Sequence, residues 1–215
     1  GGWVEGKPDG RGSYVWSDGS RYTGEWRRGL KHGQGAYRWS SGASYTGEWH
    51  EALMQGVGTY IAADGARYRG SWYQDQKQGL GTKWYANGDR YEGLWKYGRH
   101  DGPGLYKWAN GNEYNGQWAN GRMTGRGTFV WASGERYDGQ WQAGKEEGRG
   151  KFTWPDGSWY FGYWEAGEKH GRGVWHPADK EDRKKEKAEA GQRGPGPEAG
   201  GGGGPHAHGG GSKGS

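Results

Sequence analysis

From Tyr22 to Ser44 the chain alternates in character residue by residue. Tyr22, Gly24 and Trp26 interleave with Arg21, Thr23 and Glu25, and Gly33, Gly35, Tyr37 and Trp39 interleave with Gln34, Ala36 and Arg38. A period of two marks a strand with one apolar and one polar face. Between the two runs, Arg27 to His32 with Gly29 inside it is expected to be a turn. Ser40-Ser41-Gly42 is expected to be a tighter one, echoed at Trp108–Gly111 and Pro155–Gly157. One unit is therefore one hairpin.

The unit then recurs. Tyr-x-Gly-x-Trp appears as Tyr22-Gly24-Trp26, Tyr45-Gly47-Trp49, Tyr68-Gly70-Trp72, Tyr91-Gly93-Trp95, Tyr114-Gly116-Trp118, Tyr137-Gly139-Trp141 and Tyr160-Gly162-Trp164. A Gly-x-Gly element recurs in the same step, from Gly10/Gly12 to Gly171/Gly173. A fixed period in the range of 20–50 residues marks a stacked-repeat architecture. A lone hairpin is marginal in water, so the copies must pair edge to edge. The predicted fold is all-β: an elongated ribbon of stacked antiparallel hairpins over residues 1–177, with neighbouring copies roughly 10 Å apart. Gly1 and Trp3 stand in register with Gly24 and Trp26, so the chain opens inside a further, truncated repeat, which suggests a fragment of a longer protein.

Composition changes the picture of the core. The 215 residues include 50 Gly but only five Leu, five Val, one Ile and three Phe, against 16 Trp and 15 Tyr. An aliphatic core is out of reach, and so many aromatics argue against disorder. The glycines supply the reason for the pattern: a ring on one strand can lie flat across a glycine on its neighbour, where any Cβ would block it. Stacked copies then form a Tyr/Trp spine. In the units around Ala52 and Asp75 the turn glycine is lost, and the second-strand Trp becomes Ala62 and Tyr85, so a looser or bent stretch is expected near residues 52–85.

These motifs are the hallmark of the membrane occupation and recognition nexus (MORN) repeat, which the chain resembles from Gly1 to about His176. "YTGEWRRGLKHGQGAYRWSSGASYTGEW", "YANGDRYEGLW", "DGPGLYKWAN" and "NGRMTGRGTFVWASGERYDGQW" further resemble, in this order, the N-terminal repeat region of plant and algal phosphatidylinositol 4-phosphate 5-kinases. That resemblance implies a cytoplasmic regulatory or targeting region, peripheral at the plasma membrane, rather than the catalyst. A freestanding scaffold of a cytoskeletal or organellar assembly is the alternative. After Pro177 the period stops. Residues 178–190 are charged and helix-favouring without an apolar stripe, and residues 191–215 read as a disordered Gly/Pro linker.

Candidate chemistry is sparse. Gly-x-Gly does not read as a phosphate loop, since no helix follows it, and its glycines are expected to serve packing alone. No nucleophile motif is visible, and no cofactor is expected. There is no Cys, and His206 and His208 make a poor metal pair. His32 and His170 share one repeat position and are expected at turns or hairpin edges. The net charge of +5 is too mild to imply nucleic acid. Equal register instead turns two sets of arginines into ladders: Arg11, Arg126, Arg149 and Arg172, and Arg21, Arg67, Arg90 and Arg136. Such ladders suit anionic phospholipid headgroups or an acidic protein partner. Self-association through ribbon edges is a further expectation.

Overall fold

The computed structural model describes residues 2–178. The strands follow one another as β1 (Gly2–Val4), β2 (Lys7–Val15), β3 (Arg21–Arg27), β4 (Leu30–Arg38), β5 (Ser44–His50), β6 (Leu53–Ile61), β7 (Arg67–Tyr73) and β8 (Gln76–Trp84). The second half continues as β9 (Arg90–Lys96), β10 (Arg99–Lys107), β11 (Glu113–Ala119), β12 (Arg122–Val130), β13 (Arg136–Gln142), β14 (Lys145–Thr153), β15 (Trp159–Glu165) and β16 (Glu168–His176). Each strand pairs antiparallel with its neighbours in sequence, giving one open sixteen-stranded sheet. No helix occurs among the described residues. The expected charged segment beyond Ala178, the linker, and His206 and His208 lie outside them.

The repeat alternates a seven-residue strand carrying Tyr-x-Gly-x-Trp with a nine-residue strand carrying Gly-x-Gly. The two turn types differ from expectation. Only Arg28-Gly29 separates β3 from β4, and both residues have positive φ, 49° and 83°. A two-residue turn with φ positive at both positions matches the right-handed twist of its strands. Leu30 to His32 therefore belong to a strand. The loop around Ser40-Ser41-Gly42 is the longer one, closed by Trp39 N–H to the Ala43 carbonyl (2.9 Å) and Gly42 N–H to the Trp39 carbonyl (3.0 Å). In equivalent loops an Asp or Asn side chain accepts from the N–H two residues on, as Asp64 does from Ala66 at 2.9 Å.

The turns at residues 52 and 75 keep their form without glycine. Ala52 and Asp75 take the glycine conformation, φ 71° and 64°. Their N–H groups donate to the Lys31 and Met54 carbonyls at 2.9 and 3.1 Å, as Gly98 donates to Lys77 at 3.0 Å. The turn hydrogen bonds hold the conformation in spite of the missing glycine.

Within Gly-x-Gly the two glycines do different work. β4 pairs continuously with β5, but against β3 the register jumps: Gly24 faces Gly35, and Glu25 faces His32. The extra residues form a bulge at Gly33, whose φ is 55°. Gly35 is the platform: a Cβ there would fall on the Tyr22 ring. A Cβ on its cross-strand partner Gly24 would come within 2.5 Å of the Gly35 Cα. So only the second glycine answers to packing alone. Beside the bulge the Tyr22 hydroxyl donates to the Glu25 carbonyl at 2.8 Å.

Candidate partner-binding surfaces

On the aromatic face each spine tyrosine is boxed. Tyr22 rests on Gly35, and its ring meets Trp26 of its own repeat and Trp49 of the next edge to face, at 5.0 and 5.7 Å. Each tryptophan reaches back as well: Trp49 Nε1 donates to the Gly35 carbonyl (3.1 Å) and Trp95 Nε1 to that of Gly81 (3.1 Å). The spine tyrosines from Tyr22 to Tyr137 are buried, and burial pushes the Tyr22 and Tyr114 hydroxyls up to about 12.

A further row borders this spine, and the sequence pattern does not disclose it. Opposite the tryptophans stand Lys31, Met54, Lys77, His100, Met123, Glu146 and Lys169. Lys31 Nζ lies 4.1 Å from the Trp49 ring centre and 4.4 Å from that of Tyr37. Burial lowers the Lys31 and Lys77 ammonium pKa values and raises that of the Glu146 carboxyl. His100 stacks on Tyr91 with ring centres 3.7 Å apart and shares a 3.0 Å hydrogen bond with the Tyr85 hydroxyl.

The opposite face carries the arginines. The central residue of each Gly-x-Gly forms the row Arg11, Gln34, Val57, Leu80, Pro103, Arg126, Arg149 and Arg172. Arg11 pairs with Glu25 at 3.5 Å. Arg126, Arg149 and Arg172 make no ion pair among the described residues, and Arg149 lies 5.1 Å from the Tyr163 ring centre. Arg126, Arg136, Arg149 and Lys151 line one depression of about 540 Å³ together with Asp138 and Phe161. Arg149 and Arg172 line a neighbouring one of about 710 Å³ with Phe161, Tyr163 and Val174.

The second ladder is divided among separate settings. Arg90 pairs with Glu92 (2.5 Å) and Arg136 with Asp138 (3.0 Å). Arg67 and Arg90 flank Trp84 at 5.1 and 5.6 Å, and Arg21 lies opposite Arg38 across the β3–β4 pair. His32 and His170 are strand residues rather than turn residues, paired with Glu25 and Tyr163. The structure thus gathers Arg126, Arg149, Arg172 and Arg136 at one end of the face and leaves Arg11 at the other. No group of three His, Cys, Asp or Glu side chains capable of holding a metal occurs among the described residues.

A single-layer β-ribbon with a one-sided aromatic spine and long lateral faces defines a repeat-built binding scaffold. The chain belongs to the MORN repeat family, whose model matches residues 1–21, 22–44, 45–67, 68–90, 91–113, 114–136, 137–159 and 160–176. No curated protein matches it. Among solved structures it is similar to the SAS-4 (dCPAP) TCP domain of Drosophila melanogaster in complex with a proline-rich motif of Ana2, at 10% identity and TM-score 0.42, covering 82% of this chain and 97% of that one. It is also similar to the E1021V mutant of the TCP10 domain of Danio rerio CPAP, at 12% identity and TM-score 0.32, covering 70% and 82%. Such low TM-scores carry nothing over to the function of this chain.

Proposed function

We propose that the array is the non-catalytic targeting region of a phosphatidylinositol phosphate 5-kinase and meets anionic phospholipid headgroups through its arginine-bearing face. The observation that carries the lipid contact is the run Arg126, Arg149 and Arg172: one register position in three consecutive repeats, without ion-pair partners among the described residues. Neighbours in that run stand about 10 Å apart, and a cation near an anionic surface is worth about 1 kcal/mol. Attachment to a lipid kinase is supported by the sequence resemblance alone. Binding to phosphatidic acid or phosphoinositide vesicles is then weak and salt-sensitive, because charges are screened over ~8 Å at physiological ionic strength. Co-sedimentation at two salt concentrations tests it. Binding that is absent at low salt, or unchanged when all three arginines become Glu, removes the proposal.

A second reading, a scaffold that binds protein, is favoured by the middle of the same row. Val57 and Leu80 are 58% and 69% exposed there, and Pro103 follows them. Apolar side chains in register suit a protein surface better than headgroups. Self-association through this patch or through the exposed edge strand β16 would appear as concentration-dependent dimers in sedimentation velocity, without vesicle binding.

A further inference from the structure

The aromatic face is interrupted at one place. In most repeats the second-strand indole packs on the ring 21 residues further on, as Trp16 does on Tyr37 (5.2 Å) and Trp39 on Tyr60 (5.7 Å). At the next step the pair is Ala62 and Lys83, so neither ring is present. Lys83 Nζ lies instead 4.2 Å from the ring centre of Tyr85, whose hydroxyl meets His100. Lys77 Nζ and His100 sit around one indole, Trp95, with centre distances of 5.7 and 4.7 Å.

The charges in this gap are half-buried and unbalanced. The ammonium groups of Lys77 and Lys83 make no ion pair or hydrogen bond among the described residues. Burial, then Lys83 and Lys77, push the His100 imidazole down to about 4. The other titratable groups around His100 are the hydroxyls of Tyr85, Tyr91 and Tyr106. The nearby carboxylate, Asp89, is taken up by Tyr106 (2.7 Å), Ala109 N–H (2.8 Å) and Asn87 (3.0 Å). Asp64 attracts Lys83 only, and neither His100 nor Lys77 gains from any acid.

We propose that the gap at Ala62 is a phosphate-binding site, with Lys77 and Lys83 as charged donors and His100 or Tyr85 as the neutral one. Two unpaired ammonium groups match the nearly two negative charges of a phosphate monoester near neutral pH, and its oxygens accept from several donors at once. A single carboxylate would leave one of the cations uncompensated. The flanking rings of Tyr85 and Trp95 give the site apolar walls, which strengthen the charge interaction by excluding water. Bound phosphate offsets the repulsion from the lysines, so it raises the His100 pKa.

The test uses substitutions that the fold already accommodates. The double variant Lys77→Met, Lys83→Tyr installs residues found at the same register positions, Met54 and Tyr60, so folding is preserved while both charges are removed. The His100 ring resonances of the full chain are followed by NMR across pH at constant ionic strength, with chloride or with inorganic phosphate. Phosphate is expected to raise the His100 pKa by about one unit or more, tenfold in proton affinity, and to do so far less in the double variant. Phosphoserine and vesicles of phosphatidic acid in phosphatidylcholine then separate the carriers: a response to the first alone assigns a soluble monoester, and a response to the second alone assigns a lipid. A response to either supports the site. No response to any of the three, or an equal response in the double variant, overturns it.

Discussion

The Tyr22 ring occupies the volume into which a side chain on Gly35 would project, and its hydroxyl donates to the Glu25 carbonyl at 2.8 Å. One side chain thus fills the platform left by a missing Cβ and donates to a carbonyl beside the neighbouring bulge. The same hydroxyl bond joins Tyr45 to Glu48 (3.0 Å) and Tyr91 to Leu94 (2.9 Å). A phenylalanine could do only the first task, which explains tyrosine on the seven-residue strand even though Phe129 and Phe152 serve on the nine-residue one.

Gly93→Val is expected to destabilise the array by roughly 3 kcal/mol, at the upper end of ordinary overpacking costs. Its Cβ would stand 2.5 Å from the Gly104 Cα and 2.6 Å from the Pro103 carbonyl oxygen, both backbone atoms that cannot step aside. Thermal melting checks it, and an unchanged midpoint would show that the cross-strand glycine pair is not obligatory.

Ala52→Gly is expected to stabilise by about 0.5–1 kcal/mol, because relief of a left-handed alanine outweighs the added freedom of the unfolded chain. Asp75→Gly should gain less, since the Asp75 carboxylate accepts from Met54 N–H at 2.7 Å and that bond is lost. Denaturant midpoints of the two variants side by side test the ordering.

His100 makes stability depend on mild acid. Its pKa is depressed from 6.5 to about 4 in the fold, so the unfolded chain takes up the proton first. The contribution is present above pH 6.5 and is lost as pH falls toward 4, amounting to about 2 kcal/mol after allowance for residual exposure. His100→Met, which copies Met54 and Met123, should melt at nearly equal temperatures at pH 7 and pH 4.5, whereas the parent chain should not.

Alkaline pH should act on the spine in the opposite direction. Burial raises the Tyr22 and Tyr114 pKa values from 10 to about 12, and those of Tyr45, Tyr68, Tyr91 and Tyr137 are raised as well. Their contribution is present below pH 10 and lost as pH rises, because the unfolded chain ionises first. Phenolate absorbance from the buried spine tyrosines, the part beyond that of exposed residues such as Tyr73 and Tyr97, should therefore appear together with the loss of β signal between about pH 10 and 12. Phenolate forming at the spine tyrosines in an intact sheet would contradict the boxed geometry.

Strand character, repeat length and the ring-over-glycine contact are all legible from period two and the 23-residue step. The bulge at Gly33 is not, for a simple reason: it inserts two residues, so Lys31, Gly33 and Gly35 keep their parity and the alternation runs on unbroken. Turn tightness is hidden because Gly29 and Gly42 look alike in sequence, while only the first follows another residue of positive φ. The row from Lys31 to Lys169 escapes notice because its residue types share nothing but position. The arginine register is visible, but its unevenness depends on partners such as Glu92 and Asp138, which only the pairing reveals.

The indole bond from the tryptophan of each Tyr-x-Gly-x-Trp motif to a glycine carbonyl 14 residues earlier, such as Trp118 to Gly104 at 3.2 Å, has a mechanical meaning. It couples adjacent repeats only, so these bonds join the ribbon as a series of links. Tension across the strands would reach every junction equally, and the weakest would yield first. The place to look is between Ala62 and Tyr85, where the neighbouring rings are thinnest: a pulled ribbon should part there into two arrays, each still closed on its own tyrosines.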